Sequence, residues 1–336
     1  MDIRISGENH IFHCICGLPS TIAGCERYTE KLDTTHWQAT LRARIFLALL
    51  ILGTIGTSGC LFRSHRVESR LSNAPLKEAT QQQLIDIVNK AAGQITSLNA
   101  TVDIDTTVGG QKKGKVTEYQ EIRGYILAEK PAMLRMIGLF PIVRNRAFDM
   151  VSNGHDFKLS IPPKNQFIIG TNAITKPSSN ALENLRPQAF SDALLMRPID
   201  PQSEIAVLEG GMQNVVDPKT HRLVEQPNYR LDVIRRDSKG NWFLSRKIYF
   251  DRTDMTPYRQ LIFDREGNVA TDATYQAVKD FNGIPFPTYI DIVRPQEEYK
   301  VGLSIVELKL NVPLKPAQFD LQQPPGAQVK ILNGSK

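Results

Sequence analysis

Between Gln81 and Leu98 apolar residues recur at three- and four-residue intervals: Leu84, Ile85, Ile87, Val88, Ala91, Ala92, Ile95 and Leu98. With Thr80 placed to cap the first turn, this spacing predicts an amphipathic helix. Beyond Leu98 the period changes. Short apolar stretches are bounded by Gly109-Gly110, Asn153-Gly154, Asp237–Asn241, Asp264–Asn268 and Asn282-Gly283, the punctuation of successive antiparallel hairpins. Phe157, Leu159 and Ile161 alternate with polar neighbours, and so do Tyr229, Leu231 and Val233 around Arg230 and Asp232. Such strands have one wet face and one apolar face. From Val301 the apolar positions run Val301, Leu303, Ile305, then shift phase to Val306, Leu308 and Leu310, which predicts a bulge near Ile305. Ser178–Met196, interrupted by Pro187, predicts one or two short helices. The sum is an α+β fold: a strongly curved antiparallel β-sheet with a few helices laid against one face.

Upstream of this domain, Arg42 and Arg44 precede the apolar run Ile45–Ile55, and Gly56, Thr57, Ser58 and Gly59 lead directly into Cys60. This is the basic, apolar, small-residue order of an export signal, and the run is well short of the ~20 residues a spanning helix needs. Thr57-Ser58-Gly59-Cys60 resembles the bacterial lipobox, with Thr57 where Leu is usual. The resemblance implies that Cys60 is acylated and becomes the N-terminus once the signal is removed. Residues 1–41 are then expected to be an upstream extension, with translation starting near Leu41 from a non-ATG codon. Residues 42–59 read as the lipoprotein signal peptide, residues 60–80 as acylated cysteine and flexible tether, and residues 81–330 as the folded domain.

Composition narrows the function. After processing at Cys60 no second cysteine remains, so an exported chain must be held by its apolar core rather than by disulfides. Residues 1–59 are charge-balanced, so the net charge of +6 belongs to the rest of the chain. There is no arginine-rich run, and a basic surface on an exported protein suits anionic head groups better than nucleic acid. Cys14-Ile15-Cys16 lacks the paired CxxC spacing of zinc sites, and His65, His155 and His221 are far apart. Asp103 with Asp105, and Asp251 with Asp254, have the type of a cation site, although carboxylates at alternate strand positions ordinarily face water. No nucleophile elbow, zinc-protease or phosphate-loop motif occurs. The expectation is no enzyme, no metal and no cofactor.

Parity against Arg135 and Asp149 puts Leu134, Met136, Phe148 and Met150 on one apolar face, joined by Phe157 and Leu159. Six of seven methionines, Met133, Met136, Met150, Met196, Met212 and Met255, lie downstream of Cys60 and suit an adaptable lining, although a dry core accounts for any one of them as well. Gly138–Val143 is apolar around Pro141 and reads as a loop.

The order of elements resembles the LolA/LolB-like family of periplasmic lipoprotein carriers over about residues 81–330. The carriers of the resemblance are the leading helix, Gly124–Pro131 followed by Leu134-Arg135-Met136, Val151–Phe157, Asn184–Phe190 with Leu194, Phe250–Asp254, Gln260–Asp264, Ile284–Pro287 and Phe319–Gly326. That family's fold is an incomplete antiparallel barrel whose concave face is covered by helices and receives acyl chains. The resemblance implies a lipid-binding cavity formed by Leu134, Met136, Phe148, Met150, Phe157, Leu159, Leu194 and Met196, and a membrane-contact loop at Leu139 and Phe140. It also implies acyl lipids or lipoproteins as ligands, a periplasmic carrier as partner, and a monomer. Leu61, rather than Asp, after Cys60 points to the outer membrane, periplasmic face. The alternative function is a lipid-anchored scaffold with no ligand.

Overall fold

The computed structural model describes residues 71–172 and 186–332; the lipobox and Cys60 lie outside the described residues. Helix α1 (Gln81–Gln94) begins with a capping box, in which the Thr80 hydroxyl accepts from the Gln83 amide and the Gln83 side chain from that of Thr80. The predicted helix extended to Leu98, but the chain turns into a strand first. Asn311 explains the stop: its side chain donates to the Gln94 carbonyl at 2.8 Å and accepts from the Thr96 amide at 2.9 Å. Leu98 is buried in the sheet instead.

The strands are β1 (Ser97–Gly110), β2 (Lys115–Glu129), β3 (Met133–Leu139), β4 (Arg146–Ser152), β5 (Asp156–Ile161), β6 (Gln166–Thr171), β7 (Glu204–Val216), β8 (Leu223–Arg236), β9 (Trp242–Asp251), β10 (Pro257–Phe263), β11 (Val269–Phe281), β12 (Ile284–Arg294), β13 (Tyr299–Leu310) and β14 (Gln328–Leu332). Helix α2 (Pro187–Leu194) separates β6 from β7. All fourteen strands of the described residues belong to one curved, unclosed sheet, in the order β14-β6-β5-β4-β3-β2-β1-β13-β12-β11-β10-β9-β8-β7. Neighbours are antiparallel except β14, which runs parallel to β6. This is the α+β incomplete barrel expected of the chain. The phase change in β13 is a bulge: Thr101 pairs with Glu307 and Val102 with Ile305, leaving Val306 over.

Two apolar cores lie on the helix-bearing face. In one, Phe190, Leu194 and Leu195 pack on Leu98, Ile126, Leu134, Met136, Met150, Leu159, Ile290 and Leu303. In the other, Leu84 and Val88 of α1 pack on Leu231, Val233, Ile248 and Phe250. Met196 packs against both. The opposite face of β3–β6 is covered by the C-terminal segment. There Arg135 grips Asp149 through both guanidinium arms, at 3.0 and 2.8 Å, and donates to the Gln318 carbonyl at 2.8 Å. Val151 and Phe167 meet Leu321 beside it.

The segment joining α2 to β7 is pinned from two sides. Arg246, 1 % exposed, donates to the carbonyls of Arg197 and Pro198 at 2.7 Å each and reaches Glu204 at 3.3 Å. From α1, the Asn89 side chain accepts from the Ile199 amide and donates to its carbonyl. Burial pulls the Arg246 guanidinium down to about 10, against the opposing pull of Glu204, so it remains charged at neutral pH. Residues 71–79, placed in the tether by sequence, run along strand ends: the Ser72 amide donates to the Glu225 carbonyl and that of Lys77 to the Arg252 carbonyl.

Arg246→Met removes the clamp and leaves Glu204 as a buried charge without its guanidinium. A loss of about 3–5 kcal/mol in unfolding free energy is expected by chemical denaturation. The Arg246→Met/Glu204→Gln double variant recovers part of that loss.

Candidate functional site

Where the two cores meet, the described residues leave a cavity of about 390 Å³. Its walls come from Ile87 and Ala91 of α1, Leu194 at the end of α2 and Met196 just after it, Met255 before β10 and Pro257 at its start, and Tyr275, Val278 and Phe286 of β11 and β12. Local chemistry explains each wall. Helical spacing sets Ile87 and Ala91 on the flank of α1 beside the buried Val88. The pinned segment after α2 holds Met196 in the seam. Pro285 and Pro287 flank Phe286 at the end of β12, where a proline removes a ladder donor at least cost. The lining also carries polar residues: Lys90, Gln94, Lys130, Asp254 and Thr256.

Lys130 donates to the Ala92 carbonyl near the end of α1, and burial lowers its ammonium below the ordinary lysine range. Asp254 accepts from the Thr256 amide at 2.7 Å. Within the wall, Tyr275 is 9 % exposed, and its hydroxyl has no hydrogen-bond partner among the described residues. Burial, reinforced by Asp192, raises it well above the ordinary tyrosine range, so it stays a neutral donor. Asp192 is itself raised by burial, opposed by Arg197.

Of the residues proposed from sequence to form a lipid cavity, Leu194 and Met196 line this one. Register does bring Leu134, Met136, Phe148, Met150, Phe157 and Leu159 onto one face: Met136 stands opposite Met150, Met150 opposite Leu159, and Phe157 opposite Ser152. That face is filled, however. Five of the six are buried in the core under α2, and Phe148 packs half-buried against it. Among the methionines, Met196 and Met255 line the cavity, whereas Met212 is exposed on the edge strand β7. Sequence reasoning missed Ile87, Lys90, Lys130, Tyr275, Val278 and Phe286 as a group. Ile284–Pro287 was noted only as a shared motif, although an aromatic residue between two prolines in a strand was a usable signal.

Leu139 ends β3 half-buried, and Phe140 is 39 % exposed. The turn after them closes on itself, with the Phe140 amide donating to the Asn145 carbonyl and the Arg144 amide to that of Phe140. Ile142 at its tip holds φ 66°, a left-handed conformation that β-branched residues rarely adopt, and is 97 % exposed. Val143 beside it is 63 % exposed, and Arg144 and Arg146 follow. This apolar tip and Lys130 stand at opposite ends of the same strand, β3.

Asp103 is paired with Arg123 at 2.6 Å, and Asp251 accepts from Gln226 and Thr253. Among the described residues no group of three or more His, Cys, Asp or Glu is placed to hold a metal ion.

No protein-family model matches this chain, and no curated protein sequence matches it. Its structure is similar to that of a LolA superfamily protein from Nitrosomonas europaea, at 14% identity and TM-score 0.45, covering 73% of this chain and 99% of that one. It is also similar to a DUF1329 family protein from Desulfovibrio piger, at 13% identity and TM-score 0.44, covering 71% and 96% respectively. A third similar structure is a putative outer membrane lipoprotein-sorting protein domain from Vibrio parahaemolyticus, at 11% identity and TM-score 0.40, covering 70% and 95%.

Proposed function

We propose that this protein is a lipoprotein anchored through acylated Cys60 to the periplasmic face of the outer membrane. In this reading it holds acyl chains of lipids or lipoproteins in the cavity between α1, α2 and β10–β12. Its role is that of an acceptor or carrier in envelope lipid or lipoprotein localisation. The observation that carries the reading is the apolar cavity at the seam of the two cores, which the helices do not fill. Moving an acyl chain out of a bilayer exposes roughly 0.8 kcal/mol per methylene, so a carrier needs an apolar container, and an adaptable one. Met196 and Met255 in the wall supply that adaptability. The same reading makes the 139–146 turn a membrane contact, with Phe140, Ile142 and Val143 as the inserting side chains and Arg144 and Arg146 meeting anionic head groups. No catalytic role is part of it.

The competing reading, a ligand-free scaffold, draws on the filled core under α2. Two measurements separate the readings. Mass spectrometry of organic extracts after purification from envelope membranes is expected to return acyl-containing molecules in about equimolar amount; protein that is consistently empty, and stays so after incubation with lipid vesicles, speaks for the scaffold. For the anchor, a Cys60→Ala chain is expected to leave the outer-membrane fraction and appear in the soluble periplasm. Its persistence in the membrane overturns acylation as the means of placement. For the turn, Phe140→Ser/Ile142→Ser in the Cys60→Ala background is expected to reduce binding to phosphatidylglycerol vesicles about tenfold, while unchanged binding removes the turn from the membrane.

A further inference from the structure

The proposed function leaves open what kind of acyl compound enters the cavity, and two features of its geometry bear on that. The first is volume. At about 390 Å³, and with ~30 Å³ for a group of water's size, the space admits about thirteen such groups. That is one acyl chain of medium length, not the two or three chains of a phospholipid or a lipoprotein anchor.

The second is charge in the lining. Lys90 of α1 and Lys130 of the β2–β3 turn both line the cavity, and Asp254 is the one carboxylate in the lining. Among the described residues neither lysine is paired with a carboxylate: Lys130 spends one donor on the Ala92 carbonyl, and its ammonium is destabilised by burial with no acidic neighbour to compensate. An anion bound there restores that compensation. Asp254 is already engaged by the Thr256 amide.

Resting on the acyl-binding reading above, we infer that the cavity takes a single-chain anionic amphiphile. The chain lies along Ile87, Leu194, Met196 and Phe286, and Lys90 and Lys130 meet its negative head. Carboxylate and phosphate heads satisfy this chemistry equally, so both are included in the test.

The experiment uses the full chain carrying Cys60→Ala, purified without detergent, and isothermal titration with dodecanoate, dodecyl phosphate, uncharged dodecanol and a dispersed two-chain phosphatidic acid. Expected are one-to-one binding of at least one anionic single-chain probe about tenfold tighter than dodecanol, and no uptake of the two-chain lipid. If only one head binds, that head is the source. In Lys90→Ala/Lys130→Ala the advantage over dodecanol is lost while dodecanol binding persists; Lys90→Arg/Lys130→Arg retains it, which separates charge from any loss of folding. Equal affinity for dodecanol and the anions, or preference for the two-chain lipid, overturns this inference and leaves the acyl-binding reading standing. Failure of every amphiphile to bind overturns both.

Discussion

One strongly curved sheet has to hide its helix-bearing face, and that obligation organises the molecule. Every strand in the described residues hydrogen-bonds into the same sheet, and the apolar side chains of β1 to β9 and β11 to β13 line its helix-bearing face in two neighbouring cores. Leaving it wet costs roughly 25 cal/mol for each Å². The described cover consists of α1, about 21 Å long at 1.5 Å per residue, and the much shorter α2. Each seals its own region and builds its own core. The seam between them belongs to neither helix, and the cavity is there. A site made in this way does not depend on special residues at its centre; it depends on where the helices stop.

What stops them is polar. Asn311 ends α1 at Gln94, before the helical pattern through Leu98 runs out. Arg246 and Asn89 hold the segment after α2 against the sheet, which fixes Met196 in the seam. A buried guanidinium is an expensive anchor. Here it satisfies two carbonyls that an irregular segment crossing an apolar surface would otherwise leave bare.

This explains why the fold was more legible in the sequence than the site. Helical spacing from Leu84, the alternation around Arg230 and Asp232, the turn at Asn153-Gly154 and the phase change at Val306 are local signals, and each corresponds to an element in place. Parity correctly set Leu134, Met136 and Met150 on one face. It could not say that α2 would fill that face, because Phe190 and Leu194 reach it from about 40 residues further along the chain. Lys90, Lys130 and Tyr275 lie on three separate elements with no shared spacing; only the tertiary arrangement brings them round one opening. The parallel pairing of β14 with β6 was hidden for the same reason, since nothing in Gln328–Leu332 records which edge it joins.

The ends of the strands carry a further consequence. Leu71 bridges to Glu225 near the start of β8, and the Lys77 amide donates to the Arg252 carbonyl in the turn that supplies Asp254 to the cavity lining, so the segment ahead of α1 is laid along strand ends before it reaches the cavity wall. The apolar tip at Ile142 stands at the far end of β3 from Lys130. The β3 strand, about 24 Å long at 3.4 Å per residue, therefore separates the lysine that lines the cavity from the exposed apolar turn, so a change at either end acts on one feature without touching the other.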